Sequence, residues 1–214
     1  MKIASVVWSA WGVALLCGCS RPAAEAPGAA AEEPAASAAA PAAPETAPAA
    51  PACLVTEGGI GAMKLGMTIA EARRAMPTAR FERSSDGDGV ALISVAVGRD
   101  TLMSAYAGES DAESAIDDTK RVEHIETFSP LCGTADGVRP GALVTDAEKV
   151  LGGVRTITLS EIESREFVQF ERQPAWASIR LDGTGIFADG STETTKYQPG
   201  AKILSIAVAS RPEG

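Results

Sequence analysis

The sequence predicts an α+β fold: two tandem repeats, each a short helix followed by about four antiparallel strands, behind a disordered N-terminal tether. Three observations carry that expectation. A twelve-residue pattern that opens at Gly66 recurs at Gly141, 75 positions on. Each copy is followed by four apolar or alternating segments separated by turn-forming residues. Ahead of both lies a tract of alanine and proline too uniform to build a core.

The first element is the leader. Lys2 precedes an apolar run, Ile3 to Leu16, broken only by Ser5, Ser9 and Gly12. Its length and charged flank are those of a signal-peptide core, too short to persist as a membrane-spanning helix. The run ends in Leu16-Cys17-Gly18-Cys19, which resembles the lipobox of bacterial lipoproteins. That resemblance implies cleavage after residue 18 and thioether lipidation of Cys19. With Ser20 rather than Asp in the next position, it also implies sorting to the outer membrane, facing the periplasm. Each acyl chain contributes about 0.8 kcal/mol per buried methylene, so several chains would hold the N-terminus in the lipid bilayer.

Residues 19–52 form the expected tether. Between Pro22 and Ala52 there are 17 Ala and 7 Pro among 31 residues, with four Glu. Alanine favours helix, but a proline every few residues interrupts one. Such a linker reaches roughly 30 to 90 Å, the limits set by coil and polyproline geometry. Residues 53–214 are then one periplasmic domain, long enough for a real core, with repeat one near 54–129 and repeat two near 130–210. This domain carries 24 acidic and 17 basic side chains. That balance argues against a nucleic-acid partner, which needs basic stripes, and against docking on anionic headgroups.

Four cysteines divide cleanly. Cys17 leaves with the leader and Cys19 is acylated, which leaves Cys53 and Cys132 for a disulfide in an oxidising compartment. With one histidine in the chain, His124, and no C-x-x-C spacing, a cysteine-based metal site is a poor competitor.

The repeat defines the two helices. Gly66-Met67-Thr68-Ile69-Ala70-Glu71-Ala72-Arg73-Arg74-Ala75-Met76-Pro77 aligns with Gly141-Ala142-Leu143-Val144-Thr145-Asp146-Ala147-Glu148-Lys149-Val150-Leu151-Gly152. Ile69, Ala72 and Met76 recur as Val144, Ala147 and Leu151 at helical spacing, and Pro77 or Gly152 ends each run. Thr68 with Glu71 makes a capping box, and Thr145 with Glu148 offers one shifted by two residues. Strand-like segments follow near 79–83, 90–97, 101–106 and 121–128, and again near 154–159, 166–172, 175–181 and 202–209.

The Gly-Met-Thr…Glu-Ala…Met-Pro segment resembles the G-M-T-x-x-E/Q-V-x-x-L-G-x-P motif of SmpA/OmlA-type lipoproteins, the small subunit of the outer-membrane β-barrel assembly machinery. A tandem pair at this spacing is similar to the β-lactamase inhibitor protein. The second copy departs from the motif, with Ala142-Leu143 where the first has Met67-Thr68. The resemblance implies a helix-plus-sheet fold, and a place in envelope assembly or hydrolase inhibition only by analogy.

The sequence shows no nucleophile elbow, zinc-protease motif or phosphate-binding glycine loop, so the domain is expected to be no enzyme and to hold neither cofactor nor metal. His124 lies in an alternating strand between Glu123 and Glu126 and reads as a surface histidine. The acidic stretch Glu109 to Asp118 reads as a solvated loop or short helix rather than a calcium loop. Residues 183–200 read as a long surface excursion. Strand parity gives the candidate site: with Ala177, Ile179 and Leu181 inward, Trp176 and Arg180 face out, and Val168 and Phe170 inward leave Phe167 out. Tyr106 joins this set from the first repeat. Aromatic and arginine side chains on an open sheet face favour a protein partner, so a non-catalytic envelope binding or scaffold module is the expected role. Hydrolase inhibition, and a small-ligand carrier or enzyme, are the alternatives.

Overall fold

A computed structural model describes residues 53–210. The leader, Cys19 and the Ala/Pro tract lie outside the described residues. Thirteen strands and two helices follow in chain order: β1 (Cys53–Thr56), β2 (Gly59–Ile60), β3 (Met63–Lys64), α1 (Ile69–Ala75), β4 (Ala79–Ser85), β5 (Ala91–Val97), β6 (Asp100–Tyr106), β7 (His124–Thr127), β8 (Cys132–Gly133), α2 (Val144–Leu151), β9 (Val154–Ser160), β10 (Arg165–Phe170), β11 (Ala177–Leu181), β12 (Glu193–Thr194) and β13 (Ile203–Ala209).

This corrects the expected α+β pair of helix-plus-sheet repeats. The fold is mostly β, with 43% of the described residues in strands and 9% in helices. Each helix is only about two turns long, which leaves the strands to define the class. The long strands also hydrogen-bond as a single nine-stranded sheet, in the order β12-β9-β10-β11-β13-β7-β6-β5-β4. The β13–β7 pairing, with Ala207 opposite Glu126 and Val208 opposite Ile125, runs straight across the expected boundary between repeats. A second sheet, β3-β2-β1-β8, comes from residues the sequence pattern left unassigned. Strands of two residues carry no readable alternation, and only the packing around them creates them.

Local chemistry explains α1 better than α2. Thr68 caps α1: its side chain accepts from the Glu71 N–H at 3.2 Å, while the Glu71 carboxylate accepts from the Thr68 N–H at 2.8 Å. The Thr68 N–H, joined by the Thr68 hydroxyl donating to the same Glu71 oxygen at 3.0 Å, holds the Glu71 carboxyl below its ordinary range. The shifted box expected at Thr145 does not form. α2 starts at Leu143, whose apolar side chain offers no cap hydrogen bond, and the Glu148 carboxylate is engaged elsewhere. It accepts from the Tyr197 hydroxyl at 2.8 Å and the Val154 N–H at 3.2 Å. Burial and this carboxylate push the Tyr197 phenol up to about 12.

That bond also shows why the 183–200 segment is no free excursion. Tyr197 and Phe187 pack against the core, and Glu193 and Thr194 add a strand beside β9. At the root of the loop, the buried Glu166 carboxylate accepts from the N–H groups of Thr184 and Gly185 at 2.8 and 2.9 Å.

One hydrophobic core receives Ile69 and Ala72 from α1, Val144, Ala147 and Leu151 from α2, and Val55 and Ile60 from the small sheet. Ile93, Met103, Ile125, Ile157, Val168, Ile179 and Ile206 meet them from the large sheet. Helices and small sheet therefore lie against the same face of the nine strands. Cys53 and Cys132 are paired neighbours on β1 and β8 and form the expected disulfide. Among the described residues no helix is long and apolar enough to cross a membrane.

Candidate functional site

The face of the large sheet opposite the helices is built by strand parity alone. Inward positions such as Val168, Ile179, Ile206, Ile125 and Ala105 are buried, so their alternates point to the uncovered side. Register then sets the neighbours: Phe167 opposite Arg180, Arg180 opposite Ser205, Ala207 opposite Glu126, Glu126 opposite Ser104, and His124 opposite Tyr106. The floor is made of small side chains, Ser94, Ser104, Ser178, Ser205 and Ala207. At its centre the Arg180 guanidinium donates to Glu126 at 2.9 Å, and the Ser205 hydroxyl donates to the same carboxylate oxygen. The Arg180–Glu126 side chains are only 16% and 15% exposed, so this is a largely desolvated pair. Arg180 also lies 6.0 Å from the centre of the Phe128 ring.

The face is concave. Arg165 on β10 reaches Asp86, in the turn between β4 and β5, at 3.7 Å. In the sheet order β10 and β5 are five strands apart, which in a flat sheet is about 24 Å. Only strong twist and curl bring these corners together. Beneath the ion pair is a cavity of about 390 Å³ lined by Asp86, Val90, Leu92, Ser104, Tyr106, His124, Glu126 and Arg165. Burial lowers the His124 pKa below the ordinary histidine value; Glu126 opposes this and Arg165 adds to it. The ring is thereby favoured as the neutral form, able both to donate and to accept.

The four residues chosen from sequence do not form one patch. Phe167 and Arg180 are direct cross-strand neighbours, and Tyr106 lines the cavity beside His124. Trp176 lies just before β11, half-buried and packed against the core. It lines a second cavity of about 400 Å³ with His124, Ser178 and Ala207. The sequence reading missed Ser104, Glu126, Arg165 and Asp86 and took His124 for a surface residue. Parity along β7 already places His124 and Glu126 on one side; the curvature that buries them has no sequence signal.

The acidic loop is organised by a cation. Arg83 donates to both oxygens of Glu109 at 2.9 and 2.6 Å and to the carbonyls of Ser114 and Ala115 at 3.0 Å each. Among the described residues no group of three or more His, Cys, Asp or Glu side chains is placed to hold a metal ion.

No family model matches the chain, and no curated protein matches it either. Among solved structures it is similar to the crystal structure of the uncharacterized protein yfeY from Escherichia coli. The identity is 15% and the TM-score 0.46, over 73% of this chain and 99% of that one. This likeness assigns no function.

Proposed function

We propose that this chain is a lipid-anchored binding module of the cell envelope, held at the outer membrane through Cys19 and docking a protein partner on the concave sheet face without catalysing a reaction. The observation that carries the reading is the rim of the concave face. Helices and the small sheet pack on the other side of the nine strands; on this side Ser205 and Ala207 are buried at the floor, while Phe167 and Tyr106 are half-buried and Phe128 is 48% exposed around it. Those residue types dominate the energetics of protein interfaces, and a concave surface excludes water around them. A place near outer-membrane protein assembly rests on the Gly66–Pro77 motif alone.

The test is site-specific photo-crosslinking in cells at positions 167 and 128, with the inward position 179 as control. A discrete adduct from 167 or 128 that disappears on Arg180→Glu supports the docking face. Equal adducts from 179, or none from either outward position in a folded and expressed chain, overturns it.

One feature favours inhibition of a hydrolase as a second reading. Ile162, at the tip of the β9–β10 hairpin between Glu161 and Glu163, is 98% exposed. An apolar side chain held out on a hairpin suits insertion into a cleft. Under that reading Ile162→Ser abolishes inhibition of a purified target hydrolase while leaving the 167 adduct unchanged.

A further inference from the structure

The cavity under the Arg165–Asp86 pair has chemistry that a protein-docking face does not need. Its charges are already matched within the protein: Asp86 faces Arg165, and Glu126 is held by Arg180. A charged ligand would have to displace one of these pairs. Among the residues that line the cavity, the groups left free are uncharged. The Ser104 hydroxyl is buried with no hydrogen-bond partner among the described residues. The Tyr106 hydroxyl and the His124 ring line the same cavity, and neither side chain makes a hydrogen bond within the described residues. Hydroxyls and a neutral imidazole each donate and accept, and a buried group of this kind left unmatched costs free energy. Val90 and Leu92 supply an apolar wall, and the Tyr106 ring a flat one. Mixed hydroxyl and imidazole groups beside an aromatic plane match a ring that carries hydroxyls at its edge and C–H groups on its face. About 390 Å³ lies within the range of small-molecule sites.

We propose that the cavity walled by Ser104, Tyr106, His124 and Arg165 is a binding site for an uncharged polyhydroxyl ligand of sugar size. His124 also borders the second cavity, beside Trp176. The two cavities share the His124 ring as a common wall. The site uses the concave face described above but needs no protein partner. A failed crosslink at 167 leaves this inference standing, and a failed sugar titration leaves the docking face standing.

The chain has one histidine, so its ring protons give an isolated NMR signal inside the site. The full chain, purified in mild detergent, is titrated with glucose, maltose and maltotetraose, and in parallel with glucuronate and glucosamine as anionic and cationic counterparts. The expected result is a saturable shift of the His124 resonance with at least one neutral sugar. Tyr106→Phe and Ser104→Ala each remove one hydrogen-bonding group with little change of shape, and each should weaken binding by about three- to tenfold. Tighter binding of maltotetraose than of glucose identifies a glycan chain as the source; equal binding identifies a free sugar. No saturable shift with any neutral sugar overturns the proposal. So does binding of glucuronate or glucosamine as tight as that of the neutral sugars, or retention of full affinity in both variants.

Discussion

Replacing Arg180 by leucine tests whether the concave face is held by its central ion pair. The pair is intermediate between two well-characterised limits. Removing one partner of a fully buried pair costs about 3–5 kcal/mol because a charge is left stranded, whereas an exposed pair contributes about 1 kcal/mol or less. Here the two side chains are 16% and 15% exposed, and Glu126 keeps the hydrogen bond from Ser205. Arg180→Leu should therefore destabilise the fold by about 2–3 kcal/mol. Urea unfolding of the full chain in mild detergent, with a slope of about 2 kcal/mol per molar, would place the midpoint about 1–1.5 M lower. The sharper test removes the whole network. Arg180→Leu with Glu126→Leu and Ser205→Ala leaves no stranded charge and no unpaired hydroxyl, so stability should return to within about 1 kcal/mol of the parent. If Arg180→Leu costs under about 0.5 kcal/mol, the pair is effectively solvated and the burial argument fails. If the triple variant costs the sum of its parts, the three residues act through packing rather than as one polar network.

Three further outcomes follow from the same geometry. Gly59→Ala should disrupt the β2–β3 hairpin by at least about 2 kcal/mol, because a Cβ there would lie 2.2 Å from the Met63 carbonyl oxygen at φ +148°. Gly87→Ala, with open space around it, is the control, and equal midpoints for the two would refute the clash. Reducing the Cys53–Cys132 bond, which joins residues 79 apart, should lower the unfolding midpoint by an amount equivalent to at most about 4.5 kcal/mol in the chain-entropy treatment. An unchanged melt after verified reduction would count against that role. The third outcome concerns pH. Hydrogen bonds from Arg83 hold the Glu109 carboxyl below its ordinary value. A depressed folded pKa gives stability that is complete above the unfolded value of 4.5 and is lost as pH falls through the folded one. The gap in melting temperature between the parent and Arg83→Gln should accordingly narrow on acidification from about pH 5 to about pH 2; a constant or widening gap would contradict the assignment.

The two helix cores, the Thr68–Glu71 cap, the inward rows of β10 and β11 and the Cys53–Cys132 pairing were legible because each rests on local spacing or on elimination among few candidates. Helical periodicity needs only seven or eight residues, and a strand's facing needs only its parity. The α+β class was misread because helix motifs stand out in a sequence while short strands do not. β1, β2, β3, β8 and β12 have two to four residues each and exist through pairing with distant partners. Continuity of the large sheet across β13 and β7 was equally invisible, since nothing in residues 124–127 or 203–209 names the other as its neighbour.

The sequence by itself determined where α1 starts, which side chains alternate inward and which two cysteines remain to pair, since these depend on chain neighbours and residue chemistry. Only the tertiary structure decided that the sheet is one, that it curls, and that Asp86 and Arg165, five strands apart, close over His124 and Ser104. Twist accumulates strand by strand, through contacts between residues far apart in the chain. The site that twist encloses is a property of the assembled sheet and of no single segment.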